Sequence, residues 1–317
     1  MSDSAWESTS RAISVVTVVG DNRANSQRTL DHIARQTIRG KIELIVIDVT
    51  PEDVPTLEVA GVAVSYIRKP ETRTWAYAKV AGVRAATCPI VAIIEDHCRP
   101  APQWAEHVLR AFDGPWTAVG YTFVNGSPDS WLTRAELMAD YAPWVYPVRG
   151  GESRLMPGNN MAYRRDFLLS FEPGLEQALG VDFNVQEEIL RRGGRMCIEP
   201  KAIAMHQGFR TIGELLGANF TYVRYLAAAR TRRNGWGLPM RLIAGLAAPV
   251  VVPPLRLWRL MAGFRHRSAL WGALAESLPV ILSTYCVCAF GESMGYLFGG
   301  GDANERLLYY ELNCPRV

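Results

Sequence analysis

Short apolar, β-branched runs alternate with stretches of helical period through the first hundred residues. Residues 13–19 read as a buried strand, 27–36 as a helix, and 42–47 as a second strand that ends at Asp48. Residues 62–67 predict a third strand, 75–87 a helix, and 90–94 a fourth strand. This β-α-β rhythm implies a mainly parallel sheet with helices on both faces, an α/β fold in which ligands sit at the carboxyl ends of the strands. Asp48 and the triplet Glu95-Asp96-His97 fall on that edge together.

The abrupt end of the fourth strand carries the most chemistry. An apolar run from Pro89 to Ile94 stops at two carboxylates and an imidazole. Stacking such groups at the end of a buried strand calls for a cation or a phosphate-bearing ligand, although acidic residues also simply solvate strand ends. A dinucleotide-binding Rossmann unit is the obvious rival, but the first strand runs into Gly20-Asp21-Asn22-Arg23 with no GxGxxG. The run at 201–205 reads as another strand end, followed by His206.

Beyond residue 206 the pattern changes. Between Arg210 and Arg267 the chain carries ten arginines, no lysine and only Glu214 as an acid, interleaved with Phe220, Tyr222, Tyr225, Trp236 and Trp258. Residues 212–230 predict an amphipathic helix facing a membrane, and the apolar stretch at 242–255 points to lipid headgroups beside a hydrophobic surface rather than to nucleic acid. That stretch is interrupted by Pro249, Pro253 and Pro254, and a second, at 277–291, is bounded by Glu276 and Glu292. Each is expected to fall short of the ~20 residues that cross a bilayer, which leaves interfacial segments, a spanning hairpin or core helices open.

Composition bounds the rest. With 317 residues, 49% hydrophobic and 21% charged, the chain buries a full core and holds one large domain plus an appendage. A net charge of +3 gives no reason to expect nucleic acid. The six cysteines form no CxxC pair, which suits a reducing compartment and argues against zinc. Residues 1–10 form a polar tail without the pattern of a secretory signal, so the domain is expected on the cytoplasmic side of the membrane.

The ordered series of segments resembles a family 2 glycosyltransferase of the GT-A fold. It runs through Ile13-Ser14-Val15-Val16, the strand ending at Asp48, the helix from Ala76 to Ala86, the segment from Val91 to Pro100 with Pro102-Gln103-Trp104 after it, and the loop and strand from Met156 to Arg165. The resemblance covers roughly residues 11–210. Residues 211–235 then form the basic helix, 236–300 an apolar helical hairpin that is membrane-associated or packed on the domain, and 301–317 a C-terminal tail.

The resemblance implies inverting transfer of a sugar from a nucleotide-diphosphate sugar, with a divalent metal bridging the diphosphate at the DXD position. Glu95-x-His97 or the adjacent Asp96 occupies that place, and His206 completes the set, giving Asp96, His97 and His206 as metal ligands and Glu95 and Asp96 as donor-binding groups. Imidazole favours Mn2+ over Mg2+, which prefers hard oxygen ligands. A lone histidine after a strand is otherwise an ordinary structural group.

Such transfer needs a carboxylate near the acceptor oxygen to take its proton. The family's acidic motif falls in the segment from Gly180 to Gly194, where Asp182 aligns best and Glu187 or Glu188 is the alternative. The two glutamates also precede Arg191 and Arg192 with the i, i+4 spacing of a solvated helix face. Asp48 is expected at the base or ribose, with Val49 where the family often has a second Asp. Asn159 and Asn160 face the donor sugar or the acceptor, or serve the turn after Pro157-Gly158. The expected partners are a nucleotide sugar, a lipid-linked or polysaccharide acceptor of the cell envelope, and a membrane surface. A nucleotide-sugar-binding protein without turnover is the alternative. A nucleotidyltransferase is disfavoured by the lack of a Gly-rich basic loop after the first strand.

Overall fold

Seven residues, Ile13–Val19, form β1, and all seven are buried. So are the seven of β2, Ile42–Asp48, the burial expected of parallel strands covered on both faces. The computed structural model describes residues 12–51, 53–127 and 130–317; the tail expected at 1–10 and the side chain of Asp182 lie outside this set. The remaining strands are β3 Ala63–Arg68, β4 Ile90–Ile93, β5 Cys98–Pro100, β6 Ala118–Asn125, β7 Gly151–Glu152, β8 Met161–Arg164 and β9 Met196–His206. The helices are α1 Arg23–Ala34, α2 Trp75–Ala85, α3 Trp104–Ala111, α4 Trp131–Tyr141, α5 Arg165–Leu169, α6 Leu175–Gly180, α7 Asp182–Arg191, α8 Ile212–Arg233, α9 Leu238–Phe264, α10 Trp271–Phe298 and α11 Ala303–Leu308.

Two compact units emerge. The first contains the residues up to Val124 and Tyr146–His206, and the second Asn125–Val145 and Gln207–Val317.

The first unit is built on a sheet with strand order β3-β2-β1-β4-β8-β6-β9-β5, with β7 paired to β9. The expected parallel half is β3-β2-β1-β4. From β8 onward the sheet turns antiparallel, since β8 pairs with both β4 and β6, and β5 with β9, in that sense. A buried carboxylate ties the parallel half together: Glu43 accepts from Ser14 Oγ at 2.5 Å and from Thr87 N and Oγ1, both at 2.9 Å. Thr74 caps α2 by accepting from Tyr77 N at 3.1 Å. The same helix lies so close to β1 that a Cβ on Gly82 would stand 2.2 Å from Val16 Cγ1.

The second unit is helical. Leu132, Ala135 and Met138 of α4 pack with Leu215 of α8, Leu260 and Phe264 of α9, and Leu274, Ile281 and Tyr285 of α10. This shared core explains why residues 125–145 belong here although the sequence reading sets them within the 11–210 domain. Thr211 and Glu214 form a reciprocal capping box that starts α8. Residues 301–317, expected as a tail, contain α11 and the buried Arg316, whose Nη1 lies 3.4 Å from the buried Glu136 carboxylate.

The apolar segments depart from expectation in length. Pro249, Pro253 and Pro254 lie inside α9, which runs unbroken for 27 residues. With the turn that precedes it, α10 spans 31 residues, so both helices are long and apolar enough to cross a membrane by length and composition. Proline costs a helical hydrogen bond but its fixed φ fits the helix, and packing against a neighbour compensates; α9 is braced along α10, where a Cβ on Gly245 would meet Leu297 at 2.5 Å.

Candidate active site

Ile94 N donates to Val16 O at 3.1 Å, keeping the chain beside β1 as β4 ends. The chain then reverses through Glu95-Asp96-His97, closed by Cys98 N donating to Glu95 O at 3.0 Å, and enters β5. Because β5 pairs antiparallel with β9, Cys98 stands directly opposite His206. The result is a buried group of Glu95, His97, Cys98 and His206 whose donor atoms all lie within 4.8 Å of one another. The two imidazole rings meet edge to face, with centroids 5.0 Å apart.

Each member is held from outside the group. The β4–β8 register sets Ile93 against Met161, so Asn160 falls beside Glu95: its Nδ2 donates to Glu95 Oε2 at 2.7 Å and its Oδ1 accepts from Glu95 N at 3.1 Å. Asp96 turns to the other side, where its carboxylate accepts from Ser26 Oγ and its carbonyl from Thr29 Oγ1, both at 2.6 Å. Its Oδ1 lies 3.3 Å from His97 Nδ1, while His97 Nε2 lies 3.4 Å from Glu95 Oε2. Asp96 therefore orients the His97 ring rather than joining the four-residue group, and α1 fixes Asp96.

The donor chemistry fits a divalent cation. Metal bonds of ~2.0–2.3 Å set ligand atoms about 3–4.5 Å apart, close to the spacing observed. One carboxylate, two imidazoles and a thiol make a softer set than the all-oxygen sites of Mg2+.

A second buried group adjoins it. Asn159 Oδ1 accepts from Trp75 Nε1 and from Lys79 Nζ, each at 3.1 Å. Lys79 is 1% exposed, which sets a buried ammonium beside the loop that carries Asn160. That loop is gripped from α7, where Gln186 accepts from Met156 N at 3.1 Å and donates to Met156 O at 3.2 Å. Asp182 opens α7, four residues before Gln186. Glu187 is exposed. Glu188 accepts from both Arg191 and Arg192 at 2.5–2.6 Å. Those hydrogen bonds bring its carboxyl down to about 2.

At the end of β2, the fully buried Asp48 is closed in by the protein itself. It accepts from Thr50 N at 3.0 Å, from Arg23 Nη1 at 2.8 Å, and from the Tyr66 hydroxyl. Burial by itself would raise its pKa, but the hydrogen bonds from Thr50, Tyr66 and Arg23 outweigh it and hold the carboxyl below the usual range. What this edge offers a ligand is thus an Arg23–Tyr66 assembly organised by Asp48. A cavity of about 930 Å³ opens beside Arg23, lined by Gln27, Asp31 and residues 54–60, and includes none of the Glu95–His206 group.

Sequence reasoning missed Cys98, Lys79, Ser26 and Gln186. Cys98 lacks a CxxC partner, and His206, the companion that completes its group, comes from a distant strand. Lys79 sits in a helical stretch where a solvated lysine is the default, and only its place among Trp75, Ala76, Ala78 and Val80 hinted at burial.

Residues 14–170 match the family described as Glycosyl transferase family 2. The chain belongs to that family, and its mixed sheet with helices on both sides is of the GT-A type. Among solved structures it is similar to the mannosyltransferase PcManGT from Pyrobaculum calidifontis in complex with GDP-Man and Mn2+, at 18% identity and a TM-score of 0.57, covering 92% of this chain and 88% of that one. It is also similar to a mycobacterial protein at 21% identity and a TM-score of 0.50, covering 72% of this chain and 76% of that one. No curated protein matches the chain.

Proposed function

We propose that this glycosyltransferase moves a sugar from a nucleoside diphosphate sugar to an acceptor hydroxyl by one inverting displacement, with a divalent cation at Glu95, His97, Cys98 and His206. The observation that carries the reading is the convergence of these four buried donors within 4.8 Å at the carboxyl edge of the sheet. Glu95, His97, Cys98 and His206 would hold the cation, which when bound would supply positive charge for the departing diphosphate. Two imidazoles and a thiol favour Mn2+ over Mg2+, and the presence of Mn2+ and GDP-Man in PcManGT supports that choice.

The chain's own groups take the remaining roles. Asn160 fixes Glu95, and Asp96 fixes the His97 ring through Nδ1. Lys79, anchored on Asn159, adds positive charge for the diphosphate. Asp48 acts at the nucleotide end by holding Arg23 and Tyr66 in place. Asp182 takes the proton of the acceptor hydroxyl, with Glu187 as its alternative. Glu188 is too weak a base for that task at neutral pH, because its arginine pairs hold its carboxyl at about 2. The acceptor is lipid-linked or a cell-envelope polysaccharide, met at the cytoplasmic face of a membrane to which α9 and α10 attach the protein.

The test is release of nucleoside diphosphate from a panel of nucleotide sugars, with Mn2+, with Mg2+ and with a chelator. Release that needs metal, and that falls at least ~100-fold in Asp182→Asn but not in Glu188→Gln, supports the assignment. Full activity in chelator overturns the metal site. Donor binding without release under any condition leaves a nucleotide-sugar-binding protein instead.

A further inference from the structure

The α9–α10 hairpin carries one apolar face that no described residue covers. On α9, Ile243, Leu246, Val250 and Trp258 recur at helical spacing and are 64%, 71%, 75% and 66% exposed. On α10 the exposed stripe includes Leu282, Cys286, Phe290, Met294 and Phe298. Neither stripe contains a charged residue between Arg241 and Arg256 or between Glu276 and Glu292.

The opposite side of the hairpin is locked to protein. Gly291 and Gly295 let α10 approach the α8 backbone, where an added Cβ would stand 2.6 Å from Phe220 O and 2.5 Å from Arg224 O. Cys288 Sγ contacts Asn219 Oδ1 of α8 at 3.5 Å, and Glu276 pairs with Arg134 of α4 at 3.0 Å. Along the seam between helices, Glu292 of α10 lies 3.3 Å from Arg256 of α9 and 3.6 Å from Arg230 of α8. If the hairpin crossed a bilayer, Arg256, Glu292 and the α8 surface would be drawn into hydrocarbon, where charged side chains are costly. The uncharged stretch of α9 between Arg241 and Arg256 is 14 residues, about 21 Å of helix against a hydrocarbon core of ~30 Å. Crossing would also leave the Arg265-His266-Arg267 turn on the far side of the membrane from Arg230, Arg232, Arg233 and Arg241, against the one-sided placement of positive charge that fixes topology.

We propose that the α9–α10 hairpin lies in a single leaflet of an anionic membrane, apolar face down, without crossing it. This rests on the membrane attachment proposed above and adds its mode. The charge balance selects the lipid: ten arginines against Glu214 alone in residues 210–267 fit phosphate-bearing headgroups flanking the inserted face.

Cys286 provides a native reporter, being exposed in the middle of α10 while the other five cysteines are buried. Full-length protein carrying an environment-sensitive fluorophore at Cys286 is added to preformed phosphatidylcholine vesicles with and without phosphatidylglycerol. The expected result is a blue shift and co-sedimentation that strengthen with phosphatidylglycerol, weaken with salt, and fall at least tenfold in Leu246→Glu/Val250→Glu. In a Cys286→Ser background, Ser268→Cys at the hairpin turn is then treated with a membrane-impermeant maleimide from outside. Full labelling on vesicles supports the one-leaflet mode. Protection of Ser268→Cys on vesicles overturns that mode while leaving membrane attachment intact. Absence of binding to either vesicle, or burial of the face in a dimer instead, overturns both.

Discussion

Asn160 makes two hydrogen bonds to Glu95 and has no exposed surface, so its contribution is to aim one carboxylate. Removing such a support from a metal ligand costs ~10–100-fold in affinity. Asn160→Ala is therefore expected to weaken Mn2+ binding by that factor in calorimetry. Asp48 makes a different prediction. Its folded pKa is depressed, so the stability it adds is fully present above the unfolded value of ~3.9 and is lost as pH falls through the folded value. Asp48→Asn is expected to cost ~2 kcal/mol at pH 7 in urea denaturation and to approach no cost at the acid end. At this scale the sequence was legible where chemistry was local: Glu95-Asp96-His97 announces itself by interrupting an apolar run. Which of the three turn inward depends on the tight turn at Glu95–Cys98, and Cys98 becomes a partner of His206 only through a strand register spanning more than a hundred residues.

The same contrast holds for elements. Strands β1, β2 and β4 follow the apolar rhythm closely because parallel strands inside the sheet are buried on both faces and the intervening helices are sequence neighbours, while β3 is a partly exposed edge strand. The antiparallel half was less legible, since β8 inserts between β4 and β6, and nothing in its short sequence marks that position. Helix α9 was misjudged for a physical reason: three prolines predict breaks, and the compensation comes from α10. The α8–α10 contact yields a sharp prediction. A Cβ on Gly291 meets backbone at 2.6 Å, whereas one on Gly272 in the same helix meets nothing within 4 Å. Gly291→Ala should cost ~1–3 kcal/mol and lower the melting temperature, while Gly272→Ala should leave it unchanged or raise it slightly.

Across the whole molecule, the second unit is assembled from two separated stretches of chain, with Asn125–Val145 emerging long before Gln207–Val317. The apolar side of α4 finds its cover in α8, α9 and α10, and its buried Glu136 finds its cation in Arg316, 180 residues further along the chain. A fragment cut at residue 210 would retain the entire sheet yet carry a sticky, half-dressed α4, and is expected to aggregate in gel filtration even in a mild detergent that covers the α9–α10 face and keeps the full chain in solution. During synthesis that helix waits about 74 residues for Leu215 and about 144 for Tyr285 to be made, an interval in which a chaperone or the membrane itself is the available shelter.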